Sequence, residues 1–299
     1  MAKLKSALTW SFSRDRLFRD CCRAYYYHYY ASWGGWDQKA PELCRKSYIL
    51  RNISGIDAWI GDIVHSMIKW ILENYVSGKA VDKHSSLDRT KKLLAHTWEQ
   101  SRSKAWLHDP KNNLNLFEHY YKCEPSREDL GAKLDKAKRS IENLYGSGFI
   151  DELSRTSRES FLTIDQLDSF MFEGLQIFAV PDFALRKPEG YILYDWKTGR
   201  PSDKDTFQLS FYIMYAAQKW RIDPASVRIV PVYLTQDNVS FAPIAPVDQG
   251  KLVEYMRGSI TDMKALLIDF GENKIEVERC VKTSETWRCR NCKFQEICS

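Results

Sequence analysis

The chain has 299 residues, enough for one large domain or two ordinary ones, and 44% of them are apolar, so a substantial core can be buried. The net charge of +5 is mildly basic, which is compatible with a nucleic-acid partner but does not require one. No apolar run approaches the ~20 residues of a membrane span, and the N-terminal MAKLKSALTWSFSRD lacks the continuous apolar stretch of a secretory signal. We therefore expect a cytoplasmic protein with reduced thiols, whose eight cysteines need a reason other than disulfides.

The first half of the chain reads as helices. Ser13 predicts a cap for the first helix, and Ser126-x-x-Asp129 is a capping signal for the last. Residues 32–54, between the first and second predicted helices, read as irregular. The predicted helices cover residues 14–31, 56–76, 86–107 and 126–146.

After Arg155 the pattern changes to strands. RESFLTI, DSFMFEGLQIF, VPDFALR and YILYDWKT are rich in apolar residues and bounded by turn residues, and KPEG joins the last two as a hairpin. The rest of the chain predicts, in order, a helix over 205–220, strands over 227–235 and 238–244, a helix over 248–269 and a tail without periodicity. This order predicts an α/β core with a helical insertion. The expected divisions are an N-terminal helical segment (1–76), the insertion (77–155), the core (156–270) and a cysteine-rich segment (271–299).

Two carboxylates and a lysine are placed close together by the predicted hairpin. Side chains of a strand alternate with period two, so Asp195 and Lys197 share one face. Pro181-Asp182 precedes the neighbouring strand. Carboxylates bind hard divalent ions, and a lysine beside them can offset developing charge, which is the set that phosphodiester hydrolysis needs. The plain alternative is a surface ion pair of little energetic value.

Two further pairs point to the same chemistry. His65 follows Gly61 by four residues on the 56–76 helix and lies off its apolar stripe, so it is a candidate metal ligand. Gln208 and Tyr212 lie four apart on the 205–220 helix, so they share one side and can touch one phosphate or base. Each alone reads more simply as an ordinary surface or core residue.

Three cysteines lie within ten residues of the tail: Cys289, Cys292 and Cys298. Zinc sites more often use two separated C-x2-C pairs, and three clustered cysteines with one remote cysteine suit a [4Fe–4S] cluster. Spacing alone leaves iron and zinc nearly even, and a zinc site or free thiols are the alternatives.

Taken together, these motifs resemble the PD-(D/E)XK nuclease superfamily, in its RecB-like branch with a C-terminal iron–sulfur cluster. The resemblance includes RecB-type exonucleases and the CRISPR-associated nucleases of spacer acquisition. It runs from the N-terminal SFSRDRLFRDCCRAYYY to CRNCKFQEIC and leaves the insertion unmatched. It implies a restriction-endonuclease-like fold, in which a mixed central sheet is flanked by helices and a cluster joins the two termini.

The resemblance also implies roles for individual residues. The implied ligands of Mg²⁺ or Mn²⁺ are His65, Asp182, Asp195 and the main-chain carbonyl near Trp196; Lys197 would be the catalytic lysine, with Gln208 and Tyr212 as the accessory pair. The implied cluster ligands are Cys21, Cys289, Cys292 and Cys298. The family usually has proline after its first cysteine where Cys22 stands here, so Cys22, like Cys280, stays an alternative fourth ligand.

The predicted activity is metal-dependent hydrolysis of DNA, on single strands or ends. Arginines and tyrosines of the first helix add a candidate surface for single strands, with packing as the stronger alternative for the tyrosines. Those residues are Arg14, Arg16, Arg19, Arg23, Tyr25, Tyr26, Tyr27, Tyr29 and Tyr30. The other readings are a catalytically idle iron–sulfur scaffold subunit and an iron–sulfur redox protein. Protein partners in a repair, CRISPR adaptation, phage or defence complex are compatible with the nuclease and with the scaffold subunit.

Overall fold

A computed structural model describes residues 6–298 of the chain. Its helices are α1 (Phe12–Asp20), α2 (Cys22–Tyr26), α3 (Glu42–Arg51), α4 (Ile56–Val76), α5 (Lys83–Arg102), α6 (Phe117–Tyr120), α7 (Arg127–Gly146), α8 (Phe149–Ser154), α9 (Asp203–Trp220), α10 (Gln249–Ala265) and α11 (Thr286–Arg290). Its strands are β1 (Ile53–Ser54), β2 (Asn115–Leu116), β3 (Phe161–Ile164), β4 (Asp168–Phe172), β5 (Leu175–Ala179), β6 (Phe183–Lys187), β7 (Gly190–Lys197), β8 (Val227–Tyr233), β9 (Leu267–Asp269) and β10 (Lys274–Ile275). No helix in this described range is long and apolar enough to span a bilayer.

The central sheet has the strand order β3-β6-β7-β8. β6 pairs antiparallel with both β3 and β7, whereas β7 and β8 run parallel and are joined through α9. This mixed sheet between helices confirms the predicted α/β class. The predicted β6–β7 hairpin is also confirmed, and Gly190 in its turn has φ +134, where an added Cβ would lie 2.3 Å from the Ser226 carbonyl oxygen.

Two separate apolar cores lie on the two faces of the sheet. One core contains Tyr194 and Trp196 of β7 and packs them on α4, α7 and α8, while the other contains Leu193 of β7 and packs it on α9, α10 and the β4–β5 hairpin. The alternation of β7 therefore divides its residues as its sequence predicts. Helices α5 and α7 supply Leu94 and Ile141 to the first core, so the predicted insertion packs directly on α4 and the sheet.

The predicted first helix is broken at Cys21, which is extended (φ −166, ψ 110) between α1 and α2, and the chain continues as a π-helix over Tyr27–Ala31. No glycine or proline marks this break in the sequence. The predicted irregular segment 32–54 is also wrong in part, because α3 begins directly after Pro41. The break turns α2 and α3 toward the C-terminal tail.

Strand prediction fails in two places. DSFMFEGLQIF forms two strands, β4 and β5, because Glu173 and Gly174 both have positive φ and make a tight turn. Residues 238–244 form no strand and keep only an isolated bridge from Ile244 to Ile229. Pro243 lacks an N–H for a ladder, and Phe241 instead stacks on Phe149 with ring centroids 4.8 Å apart.

The tail packs against the N-terminal elements. Tyr27, Leu50 and Phe294 belong to one small core, with Cys21, Cys292 and Cys298 at its border. The Tyr27 hydroxyl donates to the Ile297 carbonyl at 2.8 Å. Arg288 pairs with Asp20 at 2.8 Å. The two ends of the described chain are thus held together without any disulfide among residues 6–298.

Candidate active site

The two predicted carboxylates meet where β6 begins and β7 ends. Asp182 precedes β6 and is 8% exposed, while Asp195 is two residues from the end of β7 and is 3% exposed. Phe183 pairs with Tyr194 across the hairpin, which brings the two aspartates to neighbouring positions. Asp182 Oδ2 accepts a hydrogen bond from the Trp196 backbone N–H at 2.7 Å. The hairpin backbone itself therefore fixes one carboxylate beside the other.

His65 joins this pair from α4. Its Nδ1 lies 3.3 Å from Asp182 Oδ1, and its Nε2 lies 2.8 Å from the Trp196 carbonyl oxygen. Burial lowers the pKa of His65, but the carboxylates of Asp182 and Asp195 and the Trp196 carbonyl outweigh it and raise the pKa to about 9. Both imidazole nitrogens face acceptors, and with this raised pKa the imidazole is protonated at neutral pH.

Asp195 carries an unusual buried charge. Burial, and then the Asp182 carboxylate, raise its pKa to about 7, against the opposing effect of Lys197. Lys197 Nζ lies 2.7 Å from Asp195 Oδ2, yet among the described residues this oxygen accepts no hydrogen bond of good geometry. A buried carboxylate oxygen whose partner is a single ammonium fits a cation ligand, because carboxylate oxygens bind hard cations and burial makes a nearby positive charge favourable.

Lys197 is held by three side chains. Besides Asp195, its Nζ lies 3.6 Å from Asp205 Oδ1 and donates to Gln208 Oε1 at 3.3 Å. Gln208 in turn donates to the Tyr212 hydroxyl at 3.0 Å. Burial lowers the pKa of Lys197, but Asp195 and Asp205 raise it more strongly, so the amine stays charged. Gln208 of the predicted accessory pair thus contacts the predicted lysine directly, and Tyr212 is connected to it through Gln208.

Asp205 was missed by the sequence reasoning. It lies at the third position of α9, where its carboxylate accepts from the Ser202 backbone N–H at 3.1 Å and from the Tyr233 hydroxyl at 2.9 Å. The signal that could have found it is Ser202-x-x-Asp205, a capping box directly after the Lys197 strand. A capping carboxylate one turn before Gln208 faces the same side of the helix as that residue.

The structure brings His65, Asp182, Asp195, Trp196, Lys197, Gln208 and Tyr212 into one connected set. We call this set, with Asp205, the carboxylate cluster. Even so, no group of three or more His, Cys, Asp or Glu side chains within residues 6–298 is spaced closely enough to hold a metal ion as it stands. His65 lies between Asp182 and the Trp196 carbonyl. The donor types fit a hard divalent cation.

Six of the eight cysteines fall into two groups. Burial raises the pKa of Cys292, and the thiols of Cys21, Cys298 and Cys289 raise it further, so these three thiols lie in the neighbourhood of Cys292. Their spacing, like that of the carboxylate cluster, is too wide for a metal in the described range. The iron–sulfur cluster therefore stays a prediction.

Cys22 belongs elsewhere, although it is the neighbour of Cys21. Its thiol is hydrogen-bonded to Cys280, which raises the pKa of Cys22, and both pack in the core that contains Leu193. The break at Cys21 turns the two adjacent cysteines to different sides.

A mixed sheet that presents two carboxylates and a lysine at one edge defines a class of protein, the metal-dependent nucleases. Residues 9–299 match the PD-(D/E)XK nuclease superfamily, and the chain belongs to this superfamily. Its members are typically nucleases that use a divalent metal such as Mg²⁺ or Mn²⁺, with DNA as substrate. The match does not specify a branch, so the RecB-like assignment stays a prediction.

Other comparisons add little. No curated protein sequence matches the chain. Among solved structures, the crystal structure of SSO0001 is similar with 18% identity and a TM-score of 0.31, covering 61% of this chain and 78% of that chain. A likeness this slight carries no argument about the site.

Proposed function

We propose that the chain is a metal-dependent deoxyribonuclease that hydrolyses phosphodiester bonds in single-stranded DNA or at DNA ends. The observation that carries the proposal is the carboxylate cluster, in which two buried aspartates, a charged lysine and a histidine from three different elements are in contact. A surface ion pair would not explain why Asp195 is 3% exposed, because burying a carboxylate costs free energy that an exposed pair avoids.

The residues divide into two roles. Asp182, Asp195 and His65, with the Trp196 carbonyl, would hold Mg²⁺ or Mn²⁺, which supplies charge neutralisation at the phosphate and a more acidic water. For His65 to serve as a ligand it must lose a proton, since only neutral imidazole binds a cation. The site therefore exchanges a proton for the metal, and its affinity for metal rises with pH.

Lys197 and the accessory pair would act on the phosphate. The Lys197 ammonium is fixed beside Asp195 and can orient the attacking water or offset the charge that develops on the phosphate oxygens. The Tyr212 hydroxyl accepts from Gln208, so its own proton is free to be donated to a phosphate oxygen. Burial keeps the pKa of Tyr212 well above its usual value, which keeps this hydroxyl protonated.

We further propose a [4Fe–4S] cluster on Cys21, Cys289, Cys292 and Cys298. Its support is the soft thiolate donor set, the effect of the Cys21, Cys298 and Cys289 thiols on the pKa of Cys292, and the hydrogen bond between Cys22 and Cys280, which engages both alternative ligands. The proposed role is structural, because the cluster would join the break between α1 and α2 to the tail. It would need the four thiols to approach one another.

The test uses the purified full chain on end-labelled DNA with Mn²⁺ or Mg²⁺ and with EDTA. We expect short labelled products from single strands or from duplex ends only when the metal is present. Circular single-stranded and circular duplex DNA serve as controls for internal cleavage. A protein that is folded, binds Mn²⁺ and leaves every substrate intact would contradict the nuclease and favour the idle scaffold subunit.

A further inference from the structure

A large cavity adjoins the carboxylate cluster. Its volume is about 1140 Å³, and Asp182, Gln208 and Tyr212 contribute to its lining. Much of the rest of its wall comes from the N-terminal segment, including Arg16 of α1 and Arg51 at the end of α3, and another part comes from the β4–β5 region, including Phe178. The cavity therefore connects the proposed reacting groups to elements far from them in sequence.

Two arginines in this wall are buried or half-buried without a carboxylate. Arg14 is 5% exposed, and its guanidinium donates to the hydroxyls of Thr9 at 2.8 Å and Tyr25 at 3.2 Å. Arg51 donates to Ser32 Oγ at 3.2 Å. Within residues 6–298, neither arginine forms an ion pair with an aspartate or glutamate. Burying a cation without an anion is costly, so a wall of this kind favours an anionic ligand.

The carboxylates of the cavity do not cancel this charge. Asp20 already pairs with Arg288 at 2.8 Å, and Asp182 is engaged by His65 and the Trp196 N–H. Arg16 also lines the cavity, with 65% of its side chain exposed, and among residues 6–298 its ion-pair partner is Asp20, 3.8 Å away. Arg51 and Arg16 are therefore the cations that an incoming anion can reach.

The predicted arginine surface of the first helix is corrected by these contacts. Arg19 is paired with Asp262 at 2.7 Å, and Arg23 donates to the Cys280 carbonyl at 2.8 Å, so both connect α1 or α2 to distant parts of the chain. Arg14 is a buried support, with its guanidinium 4.2 Å from the centre of the Tyr29 ring. Of the four arginines, Arg16 is the one that lines the cavity with an exposed side chain.

Aromatic rings lie beside these cations. Tyr29 and Trp33 both line the cavity, and Trp33 is 39% exposed. Aromatic faces next to a cationic groove are how proteins hold single strands, since every base has a face that can stack. A double helix hides those faces, because its bases are stacked on one another.

We propose that this cavity is the binding site for a few nucleotides of single-stranded DNA next to the cleaved phosphate, with Arg16 and Arg51 contacting phosphates and Trp33 stacking on a base, while Tyr29 packs on Arg14 in the wall. The inference rests on the proposed function, because it places the scissile phosphate at the carboxylate cluster. It selects single strands, including frayed ends, over intact duplex. It also makes the N-terminal segment part of the substrate site.

The experiment measures binding of a short fluorescein-labelled oligothymidylate by anisotropy in EDTA, where cleavage does not interfere. Arg51→Gln and Arg16→Gln should each weaken binding roughly tenfold, as for a lost charge-assisted hydrogen bond. Each should also reduce the slope of log affinity against log salt by about 0.7. Trp33→Ala should weaken binding by about fivefold or more, through lost stacking.

Arg139→Gln is the matched control, because Arg139 is an exposed arginine of α7 that does not line the cavity; its affinity and salt slope should equal those of the wild type. A blunt hairpin duplex, measured in parallel, should bind more weakly than the oligothymidylate and be insensitive to Trp33→Ala. Arg16 is exposed, so Arg16→Gln decides the matter even if Arg51→Gln does not fold.

Cleavage by the wild-type protein with Mn²⁺ separates the two proposals. If the wild type cleaves DNA but Arg16→Gln and Trp33→Ala bind the oligothymidylate like the wild type, the cavity assignment is wrong and the nuclease stands. Equal effects of Trp33→Ala on single strand and duplex would overturn the single-strand assignment. Weakened binding by these variants in a protein that never cleaves would contradict the nuclease while supporting the cavity.

Discussion

The carboxylate cluster and the tail cysteines are built on different kinds of structure. Asp195 lies on β7 and Asp182 directly before the adjacent strand β6, and His65 and Gln208 lie on helices of 21 and 18 residues. The tail cysteines, Cys289, Cys292 and Cys298, lie on the five-residue α11 and the turns that follow it. Long helices and strands packed on a sheet fix side-chain positions through their backbone geometry. A five-residue helix and the turns after it depend on a ligand or cross-link to fix theirs. The backbone of the fold therefore places the residues of the carboxylate cluster, although they must move closer to hold a metal, whereas the tail cysteines would be ordered by their cofactor.

The largest expected effect is at the tail. We expect the wild-type protein to be brown and to contain about four irons per chain, as a [4Fe–4S] cluster requires. Cys298→Ala should remove the colour and lower the iron content to near zero. It should also cost about 5–6 kcal/mol of stability, by the chain-entropy estimate for a cross-link between Cys21 and Cys289, which approaches the whole stability of many domains. The measurements are iron analysis after anaerobic purification and the yield of soluble protein.

Cys123→Ala is the control for this prediction, because Cys123 is exposed and lies outside both cysteine groups. It should keep colour, iron and solubility. A colourless wild-type protein with one stoichiometric zinc would show that the tail binds a different metal.

The next effect is at Lys197. Lys197→Ala should slow cleavage by roughly 10²–10³-fold, as expected for the loss of one positioned cation beside a developing charge. Folding and DNA binding should persist, because phosphate contacts elsewhere supply most of the affinity. Lys187→Ala is the matched control on the same hairpin, where Lys187 pairs with Glu152 at the surface and its loss should cost at most about 1 kcal/mol. Equal activity of the two variants would show that Lys197 only forms an ion pair and has no catalytic role.

Asp205 tests whether the fold positions Lys197 for catalysis. Asp205→Asn removes the charge 3.6 Å from Lys197 Nζ but keeps a side chain that can accept from Ser202 and Tyr233. As a positioning residue it should lower kcat roughly tenfold, in line with partners that orient reacting groups, and leave KM unchanged. Asp203→Asn, an exposed neighbour on the first turn of α9, is the control. A change in melting temperature with unaltered kcat would make Asp205 a helix cap only.

The smallest expected effect is a pH dependence of stability that comes from His28. Burial, together with Lys293 and Arg51, holds the pKa of His28 down to about 2. The unfolded chain has an ordinary histidine and binds the proton more tightly, so stability should fall as pH drops below about 6.5, by up to about 1.4 kcal/mol per pH unit. Urea unfolding at about pH 7 and about pH 5 should show a smaller pH effect for His28→Gln than for the wild type. The same pH dependence in both proteins would show that His28 does not sense pH.

The carboxylate cluster was largely predictable from the sequence because regular elements obey simple periods. The alternation of β7 placed Asp195 and Lys197 together, the four-residue spacing placed Gln208 beside Tyr212, and the stripe of α4 left His65 off its apolar face. The residues themselves suggested a metal site and phosphodiester chemistry, the resemblance assigned each residue its role, and these roles stay predictions. Asp205 was missed because a capping residue was not read as a neighbour of the strand before it.

The N-terminal segment was less predictable because tertiary contacts decide its form. Nothing in the local sequence marks the break at Cys21, which instead lets Cys21 face the tail and Cys22 face Cys280. Arg14 and Arg19 look alike in the sequence, yet one is buried against tyrosines and the other is ion-paired with α10. The division of the chain at residues 76, 155 and 270 stays a prediction, although the shared core of α4, α5 and α7 shows that the insertion is part of the main body.

The most direct test of the central claim is a paired measurement on wild type and Asp195→Asn: a calorimetric titration with Mn²⁺ and cleavage of a labelled single strand at saturating Mn²⁺. Asp195→Asn keeps the size of the side chain and removes the charge that is buried beside Asp182 and Lys197. We predict a folded variant that binds Mn²⁺ more weakly and cleaves roughly 10²–10³-fold more slowly. Wild-type Mn²⁺ affinity and wild-type cleavage by the folded variant would contradict the assignment of the carboxylate cluster as the nuclease centre.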